Sequence, residues 1–141
     1  MNAKTFRVLL SIEIILVILS VVADISLEKH LPPILQDYLT AELENEFTTF
    51  ELIFLGLALI TLLYIIINYI QLFMLARSAR IHATIVTFLS YPLAIGLGPN
   101  VTHETSSLLY DTSTVFWGFL LGVMYFSDIK VYFDNKVEEE D

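Results

Sequence analysis

The residues from Phe50 to Ala76 form one apolar run with a single charged side chain, Glu51, beside its start. As a helix this run covers roughly 40 Å, more than the ~30 Å hydrocarbon layer of a bilayer. No water-surrounded core in a chain of 141 residues can absorb such a segment together with three further ones: Val8 to Ala23, Ile81 to Leu97 and about Leu108 to Ser127. Composition agrees, with 56% apolar residues, 16% charged residues and a mean hydropathy of +0.71. Globular domains carry roughly 25% charged residues. The expected fold class is therefore all-α, a polytopic membrane protein in a single domain over residues 1–141. Four transmembrane helices, in two helical hairpins, are expected at about 6–25, 50–76, 81–97 and 108–127.

The basic residues predict the orientation. Lys4 and Arg7 precede the first run, Arg77 and Arg80 lie between the second and third, and Lys130 and Lys136 follow the fourth. Only Lys29 falls on the other side. Positively charged loops stay in the cytoplasm, so both termini are expected inside. The first run resembles a signal-peptide core, but Glu13 within it and the lack of an A-x-A site favour an uncleaved span.

Residues 24–49, on the predicted outer side, carry a helical pattern. Leu31, Ile34, Leu35, Tyr38, Leu39, Leu43 and Phe47 recur at spacings of three and four, opposite an acidic face. Pro32 and Pro33 suit a first turn, where a missing N–H costs nothing. This predicts a short extracytoplasmic amphipathic helix at about 32–47. Its acidic face lacks the lysines that attract anionic lipid. It either lids the bundle or docks a partner through Leu35, Tyr38, Leu39 and Leu43. Thr48 and Glu51 then form a capping box opening the second span. The second outer loop, with His103, Glu104 and Asp111, reads as solvated. Asn100 to Thr102 matches a glycosylation sequon, which has meaning only in a secretory eukaryotic setting. The tail 128–141 is acidic and cytoplasmic, with Ile129, Val131, Tyr132 and Phe133 holding its first turn at the interface. Trp117 and Tyr125 read as interfacial anchors as well.

Glu13 is the one acid well inside an apolar run. Such residues usually face a bundle interior or a water cavity. Ser20 and Asp24 share its helix face. Counting from the inner ends, Glu13, Gln71 and Thr87 lie at similar depths, roughly 9–10 Å in, with Asn68 about a turn deeper. These residues are expected to form one polar cluster around Glu13. Its role is either structural, fixing helix registry, or conductive, with Glu13 binding a proton or cation. Gly118 and Gly122 form a GxxxG pair that lets helices approach closely, within the chain or between chains.

Other chemistry is not expected. A net charge of −9 argues against nucleic acid. The absence of cysteine removes thiolate metal sites and disulfides. His30 and His82 have no second histidine one turn away. No phosphate loop, nucleophile elbow or H-E-x-x-H motif occurs. No catalytic residue, metal or cofactor is predicted, and an enzyme acting on lipid has little support.

Three stretches carry a resemblance. They are Leu31-Pro32-Pro33, Leu75-Ala76-Arg77, and Tyr125-Phe126-Ser127 followed by Lys130 and Phe133. Their order resembles small bacterial four-helix inner-membrane proteins of unknown function, with two helical hairpins and an outer amphipathic segment. In that group the inner turn often reads Trp-Ala-Arg, where this chain has Leu75. The resemblance implies a multi-pass protein of the bacterial inner membrane and carries no activity. The reading reached is a non-catalytic integral membrane protein, an oligomeric or accessory subunit whose partners are the lipid bilayer and either itself or another membrane protein. The alternative is a small homo-oligomeric channel or transporter with Glu13 in its path.

Overall fold

The computed structural model describes residues 1–45, 48–96 and 101–134. They form α1 (Ala3–Leu27), a 3-10 turn (Glu28–His30), α2 (Pro33–Glu44), α3 (Thr49–Phe73), α4 (Ala79–Gly96), α5 (Glu104–Phe126) and α6 (Lys130–Asp134), with no strand among the described residues. Three helices are long and apolar enough to cross a membrane: α1 with its following turn, α3 and α5. The fourth expected span, α4, is 18 residues long and is not among them. Arg80 and His82 occupy its first turn, and Pro92 lies within it without ending it.

Local chemistry sets the helix ends. The Asn2 side chain accepts from the Thr5 amide and caps α1. The expected capping box is present, with Thr48 and Glu51 bonding each other's backbone N–H. α3 ends in a Schellman motif, in which the Ala76 amide donates to the Gln71 carbonyl and the Leu75 amide to that of Leu72. Leu75 supplies the left-handed residue, at φ 55°, a position that usually takes glycine. Its partly buried side chain packs on the core, which offsets some of that strain. α5 starts earlier than its apolar run. His103 caps it by accepting from the Thr105 amide, so Glu104 and Asp111 belong to the helix and not to a solvated loop.

The helices pack as two pairs, α1 with α5 and α3 with α4. Only α3–α4 is a hairpin of neighbours. The tight turn at residues 74–78 forces those two together, whereas residues 28–48 leave room between α1 and α3. The α1–α5 register follows from two contacts. The Ser106 hydroxyl donates to the Ser20 carbonyl at 3.0 Å, and the Ser113 hydroxyl to Glu13 Oε1 at 3.1 Å.

The two pairs join at the end that carries Lys4, Arg7, Arg77, Arg80 and Lys130, here called the basic end. There Phe6, Leu10, Leu72, Ala79, Ala83, Leu120, Met124, Ile129 and Phe133 form one fully buried core. Ile129 and Phe133 are thus core residues, not interfacial ones. α6 folds under the bundle, and Phe133 meets Phe6 edge-on at 5.7 Å. Arg80 lies over the rings of Tyr125 and Phe133 and pairs with Asp134, which ties α6 to α4. The acidic residues 138–141 lie outside the described residues. Much of the remaining surface of the long helices is apolar and open, as at Ile25 (72%), Leu63 (62%) and Phe126 (91%). Water-soluble monomers rarely expose such continuous apolar surface, whereas lipid tails accept it.

Candidate functional site

Glu13 sits where α1, α3 and α5 meet. Its side chain is almost wholly enclosed, with 2% of its surface exposed. Both carboxylate oxygens are used. Tyr69 Oη, from α3, donates to Oε2 at 2.5 Å, and Ser113 Oγ, from α5, donates to Oε1 at 3.1 Å. The same carboxylate therefore links the two helix pairs. The Tyr69 ring packs on Trp117 of α5 at 5.6 Å between centroids. The Trp117 indole N–H donates to Thr87 Oγ1 of α4 at 2.8 Å. The Thr87 hydroxyl in turn donates to the Ala83 carbonyl. A chain of contacts thus runs through all four long helices, in the order Glu13, Tyr69, Trp117, Thr87.

The sequence-predicted residues are distributed among separate contacts. Asn68 Nδ2 donates to the Ala79 carbonyl at 2.9 Å, closing the α3–α4 turn. Gln71 Oε1 meets His82 Nδ1 at 2.8 Å within the same pair, and His82 packs beside Tyr64. The Ser20 hydroxyl returns to the Val17 carbonyl of its own helix. Asp24 is half-buried near the far end of α1 and has no side-chain hydrogen bond among the described residues. Glu13 and Thr87 are joined through Tyr69 and Trp117. Asn68, Gln71, Ser20 and Asp24 do not bond to Glu13.

Glu13's actual partners, Tyr69 and Ser113, were not singled out from the sequence. Ser113 stood in the polar start of the fourth run and Tyr69 in an apolar stretch. One signal was available: Ser106 and Ser113 are seven apart, as are Glu13 and Ser20, so antiparallel helices bring both pairs level. Trp117, expected as an interfacial anchor, is half-buried and spends its N–H inside the bundle.

The expected packing glycines have no neighbour in the chain. A Cβ built at Gly118 or Gly122 meets nothing within 4 Å. Gly96 behaves differently: a Cβ there would lie 1.9 Å from the Phe54 ring, so this glycine is what lets α3 and α4 close at that end. On α2, Leu35 and Leu39 are half-buried and Tyr38 is 43% exposed. The Leu43 side chain lies outside the described residues. Among the described residues α2 has no extensive packing against any other helix.

Among the described residues no group of three His, Cys, Asp or Glu converges as a metal would require, and every buried side-chain nitrogen and oxygen has a hydrogen-bond partner. The chain matches no family model, no curated protein and no solved structure.

Proposed function

We propose that this chain is a non-catalytic integral membrane protein that acts as an oligomeric or accessory subunit of a membrane complex. One contrast carries the reading. The polar groups inside the bundle are satisfied by each other, while the polar and small residues that lack partners face outward. Glu13 holds two hydroxyl donors and links three helices, which is the work of a tie. Gly118, Gly122 and α2 are left for something outside the chain. In this reading α4 is a fourth span, lying against α3 with Arg80 at its basic end. The basic end faces the cytoplasm of a bacterial inner membrane, as the distribution of lysine and arginine favours. α2 lies on the outer surface as an amphipathic segment.

Two measurements test this. Native mass determination from mild detergent is expected to give species heavier than the 16.1 kDa monomer. A strictly monomeric chain would overturn the assembly reading. The chain has no cysteine, so Ser26→Cys and Ser78→Cys report topology cleanly. An impermeant maleimide is expected to label Ser26→Cys from outside intact cells and Ser78→Cys only after lysis.

A further inference from the structure

The α1–α5 register places Asp111 deeper than its surroundings in the sequence suggest. Ser106 is level with Ser20 and Ser113 with Glu13, so Asp111 is level with Ile15, the middle of α1's apolar run. Its side chain is exposed, and it has no hydrogen bond or ion pair among the described residues. At the same height α1 exposes Ile15 and Ile18. A carboxylate at that depth on a lipid-facing surface is costly, and such groups are ordinarily turned inward or matched by an opposite charge.

A groove and two small residues lie beside it. An open groove of about 400 Å³ is lined by Asp111, Thr112, Val115, Phe116 and Phe119. Gly118 and Gly122 continue the Asp111 row along the helix at i+7 and i+11, with open space above both. Another backbone can approach here without displacing any side chain of this chain.

Charge decides the occupant. The seven lysines and arginines are at positions 4, 7, 29, 77, 80, 130 and 136, none of them within α5 or the middle of α1, α3 or α4. By the same register the nearest cation, Arg7 of α1, is roughly 12 Å from the level of Asp111 and already donates to the Phe73 carbonyl, while the far end of α1 is roughly 18 Å away, beyond the reach of Lys29. A second copy inserted the same way would therefore set Asp111 against Asp111 with no cation between them. We propose that this face of α5 binds a transmembrane helix of a different protein, one that carries a lysine or arginine opposite Asp111. The inference rests on the assembly reading above and names the surface and the chemistry of the partner.

The test uses the full chain, donor-labelled at Ser26→Cys, in phosphatidylcholine vesicles. The probes are acceptor-labelled leucine–alanine transmembrane peptides with a central Lys, Leu or Glu. The Lys peptide is expected to associate at least about three-fold more tightly than the Leu peptide, the factor of one average interhelical hydrogen bond. The Glu peptide should be weakest. Asp111→Asn should remove the Lys preference, and Gly118→Ile should block association by filling the approach. Trp117 emission, from the sole tryptophan, checks that both variants stay folded. Equal binding of Lys and Leu peptides overturns the proposal, as does a preference that survives Asp111→Asn. Self-association of the labelled chain that Gly118→Ile abolishes also overturns it, in favour of a second copy. If native extraction yields complexes while the Lys preference is absent, only this inference falls. If native extraction yields monomers, the assembly reading falls and takes this one with it.

Discussion

The basic half of the bundle and the opposite half are built from the same helices but held in different ways. In the basic half, bonds cross between the pairs. Arg7 Nε donates to the Phe73 carbonyl, Tyr69 to Glu13, Trp117 to Thr87, and Tyr125 to the Arg80 carbonyl. All surround one apolar core closed by α6. In the opposite half no hydrogen bond between the pairs occurs among the described residues, and the contacts seen there are Ser106 on Ser20 and Phe54 over Gly96. The cause lies in α5. Its outer turns expose Thr105, Ser107, Tyr110, Asp111, Thr112 and Thr114 and a single aliphatic side chain, Leu108, so at that level it offers α3 and α4 little apolar face to share. Side-chain chemistry at a given depth, not helix length, sets where the two helix pairs fuse.

Six substitutions at five positions probe this difference. Phe133→Ala should be the most damaging, because it empties the centre of the shared core. The expected loss is about 3–5 kcal/mol, read as a lower midpoint of thermal unfolding in detergent. A small loss would mean the core does not join the pairs. Glu13→Ala comes next. It leaves the Tyr69 and Ser113 hydroxyls buried without an acceptor, at about 1–3 kcal/mol each. Glu13→Gln keeps an acceptor and should restore most of that stability. If Gln is as harmful as Ala, the tie is not what Glu13 supplies, and a charge-dependent role gains ground.

Gly96→Ala tests the opposite half at its one tight point. The new methyl would displace the Phe54 ring, at about 1–3 kcal/mol, the usual cost of overpacking. The same change at Gly118 meets open space and should leave the monomer's midpoint unaltered. Thr87→Val is the mildest of the destabilising changes. It removes the acceptor of the Trp117 indole, and interhelical hydrogen bonds in membranes average only about 0.6 kcal/mol. Its clearer signal should be a shift in Trp117 fluorescence. An unshifted spectrum would show that the indole is not bonded there.

Helices were legible from the sequence because hydrophobic run length, caps and turn residues act locally. Thr48 with Glu51 announced the start of α3, and Arg77 beside Leu75 its end. Depth is also countable, at 1.5 Å per residue, which sets Glu13 near the level of Gln71 and Thr87. Partnership was not legible. Asn68 and Gln71 lie near the depth of Glu13 yet point to the α4 side of α3, and Tyr69, one residue from Asn68, takes the carboxylate. A single residue turns a helix by 100°, so depth without rotation names the wrong neighbour. The aromatic residues misled for a related reason. Trp117 and Phe133 look like interface anchors in any chain, and only the path of α6 and the facing of α5 toward Tyr69 and Thr87 turned them inward.

By itself, then, the sequence determined that this is an all-helical protein with segments suited to lipid, and that its positive charge gathers at one end. Those are properties of hydropathy and charge order, which need no knowledge of contacts. Folding in three dimensions determined that α1 pairs with α5 and not with its neighbour α3, that Glu13 is a tie between the pairs, and that Asp111 emerges at mid-height on an open face. Each depends on which helix faces which, and that is chosen by matching hydroxyls, carboxylate and small residues across segments a hundred positions apart.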